Sequence, residues 1–189
     1  DSLRLTLLFI QIPKEAPLKT PSDDDLKKDI NRFEQLLGNL GSLKKPFVFE
    51  CAVPHIGEEI YFYLAVPRSV REVAAKQIQG LWNGAVVTPV PEDYTIFNST
   101  GAAAGAYLLQ KESFALPIRT YAEIGADTFG GILGGFAKMN AIGEGAALQI
   151  AARPTAQKIK KGIYVQLESL KRGGTFEKIL GHEFPFKFK

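Results

Sequence analysis

The sequence predicts an α+β fold, in which helices pack on one face of an antiparallel sheet. Large apolar side chains recur at every second position in two neighbouring segments, 47–53 and 60–66, as they do in half-buried strands. In two other segments, 26–40 and 70–81, apolar residues recur three and four positions apart, which indicates amphipathic helices. Strand and helix segments follow one another in the order β-α-β-β-α-β.

The first strand and the first helix are predicted in the opening forty residues. Residues 3–12 (LRLTLLFIQI) are almost continuously apolar, as expected of a strand that is covered on both faces. Behind them, five apolar residues at 4-3-4-3 spacing form one helical stripe: Leu26, Ile30, Phe33, Leu37 and Leu40. Ser22 and Asp25 resemble a capping box at the start of this helix, and Gly41 is predicted to cap its end.

Segments 47–53 and 60–66 predict a hairpin, because two alternating runs flank a short loop that contains Gly57. In the first of these runs Cys51 shares its face with large apolar residues. We therefore interpret Cys51 as a small buried hydrophobe rather than as a nucleophile.

A second helix and a fourth strand are predicted after the hairpin. Ser69 and Glu72 have the spacing of a capping box, and Gly84 is expected to stop the helix. Residues 85–90 can then form a strand. Pro89 and Pro91 indicate that this strand lies at an edge of the sheet or ends early, because proline cannot donate a hydrogen bond to a neighbouring strand.

The element order predicts a split βαβ, or ferredoxin-like, unit over residues 1–97. Residues 98–155 predict a second, incomplete α/β half, so the fold as a whole is expected to consist of tandem ferredoxin-like halves. Strands of this second half are expected at residues 106–111, 114–118 and 146–153, with a helix that Asp127 caps and that carries Phe129, Ile132, Leu133 and Phe136 on one side. Residues 156–189 are predicted to be a basic C-terminal extension. A basic helix is favoured over residues 155–173, with a strand at residues 163–167 as the alternative.

Composition and charge restrict the class of protein. The 189 residues are 46% hydrophobic and carry a net charge of +3, which is typical of a globular domain and permits contact with nucleic acid without requiring it. The single cysteine excludes an internal disulfide framework. No segment has the roughly 18 apolar residues that span a bilayer, and no signal peptide is visible. We therefore expect a soluble chain.

The residues from which active sites are built are scarce. Only two histidines are present, and we interpret His55 as a solvated residue of the hairpin loop, since one histidine beside carboxylates falls short of a metal-ligand set. The glycine-rich stretch 129–136 lacks the Lys-Ser/Thr pair of a phosphate loop. We predict no catalytic residue, no metal and no cofactor. An enzyme remains an alternative, which requires a buried cleft that gathers Glu50, His55 and Tyr63.

Two surfaces are predicted to bind partners. Four glycines at helical spacing form smooth patches that another helix or a sheet can approach closely: Gly130, Gly131, Gly134 and Gly135. Five cations gather late in the chain: Lys158, Lys160, Lys161, Lys171 and Arg172. The second surface leaves open an alternative function, a nucleic-acid-binding module that uses this basic segment. Tyr61 and Tyr63 have the spacing of a base-stacking platform, but Glu58 and Glu59 beside them disfavour RNA.

Three segments together resemble a known family. Residues 54–67 (PHIGEEIYFYLAVP), residues 69–97 (SVREVAAKQIQGLWNGAVVTPVPEDYTIF) and residues 116–127 (LPIRTYAEIGAD), with the strand AALQIAARPT, are similar to the accessory domain that precedes the motor in membrane-associated ATPases of type IV secretion and conjugative transfer. The resemblance is especially to the versions found in small-genome candidate-phylum bacteria. The resemblance covers roughly residues 3–155, and it departs from the family's pattern at the glycine-rich helix.

The resemblance implies a non-catalytic assembly or docking domain of a secretion or DNA-transfer machine. Its partners would be other subunits or domains of that machine, and it would lie in the cytoplasm at the inner face of the cell membrane. Position 1 is Asp, so we expect the chain to be part of a longer protein, and membrane attachment of that protein is left open. The sequence also leaves open whether the chain forms an oligomer.

Overall fold

The fold was analysed in a computed structural model, which describes residues 5–13, 23–91, 94–109, 118–120, 123 and 129–174. The chain divides into two compact units. One unit, here called the sheet unit, comprises residues 1–103 and 127–154, and the other, here called the helical unit, comprises residues 104–126 and 155–189.

The sheet unit contains one antiparallel sheet of five strands. These are β1 (Leu5–Gln11), β2 (Phe47–Val53), β3 (Tyr61–Pro67), β4 (Val86–Pro89) and β5 (Ala146–Ala152). The strand order is β4-β1-β3-β2-β5. The predicted hairpin is confirmed, because β2 pairs with β3 in a register that places Phe49 opposite Leu64. The predicted position of β4 at an edge is confirmed as well.

The described part of the chain has four α-helices. In the sheet unit these are α1 (Asp23–Ser42), α2 (Arg71–Leu81) and α3 (Gly130–Phe136), and in the helical unit α4 (Gln157–Lys171). The core forms where α1 and α2 cover one face of the sheet. Its buried residues come from the strands and from both helices: Leu8, Leu36, Leu40, Phe47, Leu64, Val66, Ala74, Ile78 and Ala85.

The α+β class is therefore confirmed, whereas the tandem ferredoxin-like arrangement is not. Strand β5, which was predicted within a second half, pairs with β2 and extends the sheet formed by the first half. Residues 106–109 lie in neither a helix nor a strand, and their side chains are exposed. The rest of the two strands predicted at 106–118 lies almost wholly outside the described residues, as does the proposed cap Asp127. The second half stays a prediction.

Helix ends differ from the sequence prediction at two places. Helix α1 continues through Gly41 to Ser42, and Lys44, with φ 53°, takes the left-handed position after it. Ser69 lies in a 3₁₀ turn (Arg68–Val70), so α2 begins at Arg71 without a side-chain cap, and the predicted capping box does not form. At the end of α1 a turn supplies the backbone hydrogen bond instead, since the Leu43 N–H donates to the Leu40 carbonyl oxygen. The capping residue proposed for α1, Ser22, lies outside the described residues.

Candidate functional site

An apolar groove lies on the face of the sheet that α1 and α2 cover. Its cavity has a volume of about 210 Å³. The floor is formed by Phe49, Cys51 and Leu148, and the walls are formed by Phe33 of α1 and by Trp82, which directly follows α2. We call this feature the apolar groove, and its rim carries Ile12, Phe62 and Ile150, whose side chains are exposed.

The groove exists because the sheet is wider than the helices that cover it. Strand β5 adds Leu148 and Ile150 to the helix side of the sheet, since they stand opposite Cys51 and Phe49 of β2. Phe33 of α1 reaches Phe49, with ring centroids 5.1 Å apart, yet it remains partly exposed. The sequence pattern placed Phe33 on the apolar stripe of a helix, and Phe49 and Phe62 lie at alternating apolar positions of the two hairpin strands. No local pattern indicated that their end of the sheet would stay open.

Cys51 is buried in the floor of the groove, which confirms its interpretation as a small hydrophobe. Burial raises the pKa of its thiol, because a thiolate is poorly solvated among apolar side chains, and a hydrogen bond from the Leu148 backbone opposes this effect only in part. A raised pKa leaves less thiolate at neutral pH. The groove therefore disfavours nucleophilic chemistry at this residue.

We expect the Cys51 thiol to react with iodoacetamide more slowly than a free cysteine does, and the rate to keep rising above the pH at which a free thiol is fully ionised. Its folded pKa is raised, so the stabilisation from the neutral thiol is present below the unfolded pKa and is lost as the pH rises through the folded pKa. Mass spectrometry across a pH series measures the rate, and the urea-unfolded chain is the control. Equal rates in the folded and unfolded chain would contradict the burial.

The opposite face of the sheet carries an aromatic cluster. The rings of Tyr63 and Tyr94 are stacked, with centroids 4.7 Å apart, and the Tyr94 hydroxyl donates a hydrogen bond of 2.8 Å to Glu50. Tyr63 is buried, so a nucleic-acid base has no access to its ring. This arrangement removes Tyr63 from the proposed stacking platform.

His55 belongs to a junction of three loops rather than to a cleft with Glu50 and Tyr63. Its ring Nδ1 lies 3.2 Å from the Thr95 carbonyl oxygen, to which it donates a hydrogen bond, and its own carbonyl accepts one of 2.7 Å from Gly143 N–H. The side chain is therefore held in place, and is only partly exposed, unlike the solvated turn residue that was predicted. Glu50 and Tyr63 are directly opposed on β2 and β3, with their side chains on the face of the sheet away from the groove, and His55 does not line the groove.

The four glycines predicted to bind a partner lie on α3. A methyl group added at Gly131, Gly134 or Gly135 would have no neighbour within 4 Å, so within the described part of the chain nothing packs closely on them. Gly130 is partly buried at the start of the helix. These positions are open to a partner, and their role stays a prediction.

The basic segment forms α4, which confirms the helix predicted there. Lys160, Lys161, Lys171 and Arg172 are exposed on it, whereas the side chain of Lys158 is outside the described residues. Arg172 forms a 3.4 Å ion pair with Glu168. Tyr164 and Val165 are exposed between the cations, so this surface is mixed rather than uniformly positive.

The described residues contain no group of three or more His, Cys, Asp or Glu side chains arranged to hold a metal ion. None of their helices combines the length and the hydropathy that a membrane span requires. The five-stranded sheet and the helices that cover it define an α+β domain with an apolar groove on one face of the sheet. The sequence matches no protein-family model, no curated protein and no solved structure.

Proposed function

We propose that this chain is a non-catalytic docking domain and that the apolar groove is the surface by which it binds a partner protein. The exposed rim carries the proposal. Ile12, Phe62 and Ile150 are large apolar residues that meet around one cavity, and contiguous exposed apolar surface of this kind is typical of interaction sites.

The size of the cavity favours an anchoring side chain. An apolar cavity of about 150 Å³ can admit a benzene molecule, so a cavity of about 210 Å³ has room for a phenyl ring or a branched aliphatic side chain. Protein interfaces are dominated by a few anchors of this type, which fill desolvated pockets near the centre of the contact. The partner is therefore expected to present a Phe, Leu or Met side chain on a helix or a loop.

The resemblance of residues 3–155 to the accessory domain of type IV secretion and conjugation ATPases supports the choice of partner. On this proposal the domain docks onto another subunit or domain of a secretion or DNA-transfer machine, at the inner face of the cell membrane. A hydrophobic docking surface fits this role, since it provides contact energy without chemistry. Nucleotide hydrolysis would take place in the motor.

The test is direct binding of the purified chain to the motor and inner-membrane subunits of such a machine, measured by biolayer interferometry. Phe62→Asp and Ile12→Asp each place a charge on the rim and are expected to weaken binding at least about tenfold, because an unpaired carboxylate would be desolvated in the contact. Val86→Asp is the matched control. Val86 is as exposed as Phe62 (49% and 45%), but alternation along β4 places it on the other face of the sheet.

Each outcome of this experiment is informative. If Val86→Asp and Phe62→Asp lost binding equally, with folding intact by circular dichroism, the apolar groove would not be the binding surface. If the chain bound none of these subunits, the proposal that its partner belongs to a secretion or DNA-transfer machine would be wrong. ATP hydrolysis by the chain itself would contradict the proposal that the domain is non-catalytic.

Nucleic-acid binding by α4 is the second candidate. It is favoured by the exposure of Lys160, Lys161 and Lys171 around Tyr164, since cations beside an aromatic ring are typical of single-strand binding. Glu168 offsets part of that charge by pairing with Arg172. Salt-dependent binding of an oligonucleotide that is lost in Lys160→Glu but kept in Phe62→Asp would favour this candidate over the groove.

A further inference from the structure

Strand β5 forms an edge of the sheet that lacks the usual protection. It pairs with β2 on one side, and no strand among the described residues pairs with its other side. Gln149, Ile150 and Ala151 are exposed, with Ile150 exposed to 50%. Edge strands are commonly protected by charges, by proline or by being short. The seven residues of β5 contain neither a charge nor a proline, whereas β4 at the other edge is four residues long and ends in Pro89.

The sequence of β5 is self-complementary. It reads AALQIAA, which is symmetric about Gln149 apart from the exchange of Leu148 and Ile150. An antiparallel pair with a two-fold axis at Gln149 would place Gln149 opposite Gln149, Leu148 opposite Ile150 and alanine opposite alanine. A two-fold interface requires a surface that is complementary to itself, and this strand meets that requirement at all seven positions.

In such a pair, side chains of the same kind from the two copies would also lie on the same side of the joined sheet. Leu148 and Ile150 share the helix side of the sheet, because they stand opposite Cys51 and Phe49 of β2. Pairing with a second copy would therefore bring the apolar side chains of both strands together on that side. It would place Gln149 of each chain on the other side, where two amides can hydrogen-bond. Ile150 would lose its exposure.

We propose that β5 is the interface between two copies of this chain, which pair antiparallel through it and join their sheets into one of ten strands. The occupant of this edge is thus a second copy rather than a strand from an unrelated protein, because a symmetric, uncharged strand matches itself residue by residue. The interface shares Ile150 with the rim of the apolar groove, but Gln149 does not line the groove, so a change at Gln149 tests the dimer without altering the groove lining.

Sedimentation velocity of the full chain over a concentration series tests the proposal. The wild-type chain is expected to form a dimer. Gln149→Lys would place two like charges directly opposite each other at the axis, so we expect the dimer dissociation constant to rise at least about tenfold, with partial recovery at high salt. Thr88→Lys, a matched change at an exposed position of the other edge strand, should leave the dimer unchanged.

Disulfide trapping supplies a second, independent test. Directly opposed residues of an antiparallel pair have Cα atoms about 4.5–5.5 Å apart, within the range that a disulfide spans. Gln149→Cys is therefore expected to give a covalent dimer under mild oxidation, whereas Thr88→Cys should not, and the native Cys51 is buried.

Three results would overturn the proposal. One is a chain that sediments as a monomer at every concentration, and another is equal cross-linking of Gln149→Cys and Thr88→Cys. The third is a dimer that persists in Gln149→Lys but is lost in Phe62→Asp, which would place the contact in the apolar groove. Loss of subunit binding in Phe62→Asp with the dimer intact would leave both proposals standing.

Discussion

Replacement of Leu64 by alanine is expected to lower the free energy of unfolding by about 2–5 kcal/mol. Leu64 lies on β3, between β1 and β2 in the sheet, and is fully buried (0% exposed). It belongs to the same core as residues of α1 and α2, such as Leu40 and Ile78. Truncation would therefore remove buried apolar surface and leave a cavity that rigid neighbours on both sides cannot close.

Urea unfolding followed by the fluorescence of Trp82, the single tryptophan, measures this loss. The matched control is Leu108→Ala, in which the same atoms are removed from a side chain that is 90% exposed. That change is expected to shift the free energy of unfolding by no more than about 0.5 kcal/mol. Similar losses for the two variants would contradict the placement of the core under α1 and α2.

Replacement of Gly145 by alanine is expected to destabilise the sheet unit by about 1–3 kcal/mol through overpacking. A Cβ atom at this position would collide with the Ile96 carbonyl oxygen and would lie 2.8 Å from the Ile96 Cα and 2.9 Å from the His55 backbone nitrogen. All three are backbone atoms, which cannot turn aside as a flexible side chain can. The loops that contain Ile96 and His55 would have to move apart, and the bond from Gly143 N–H to the His55 carbonyl would weaken with them.

Gly131→Ala is the matched control for this prediction. A methyl group there meets nothing within 4 Å, and alanine favours a helix over glycine by roughly 1 kcal/mol, so we expect no loss of stability and a small gain. Chemical denaturation of both variants measures the difference in sign. Destabilisation by Gly131→Ala would show instead that the glycine face of α3 is closely packed, as the small-residue spacing first suggested.

Elements with a strong local periodicity were predicted well. The helix α1, the alternation in β2 and β3 and the edge character of β4 depend on residues close together in the chain, and the structure shows all of them. The stripe predicted for α1 was right only in part, because Leu40 is buried but Phe33 and Leu37 are exposed, and Leu36, which lay outside the stripe, is buried. The end of α2 was predicted for the same reason. Gly84, with φ 79°, adopts there the left-handed conformation that glycine reaches without strain.

Features that depend on distant residues could not be predicted in this way. The stretch that forms β5 was predicted to be a strand, but its pairing with β2 follows from the tertiary fold. Because of this pairing, a strand of residues 98–155 belongs to the sheet formed by the first half. The apolar groove and the stack of Tyr63 on Tyr94 arise in the same way, from residues that are far apart in the sequence. The capping box at Ser69 failed because a 3₁₀ turn occupied the start of α2, although the local spacing was correct.

By itself, the sequence indicated most of the segments that become helices and strands, because their periodicity arises from neighbours three or four positions apart in a helix and two apart in a strand. It did not determine which side chains of α1 face the core, and residues 106–109, predicted to lie in a strand, do not form one. The tertiary structure alone decided that no strand among the described residues pairs with the outer side of β5 and that Phe33, Phe62 and Ile150 line an open cavity. Those outcomes depend on how far the helices extend over the sheet. That extent is set by packing between segments about a hundred residues apart, such as β2 and β5.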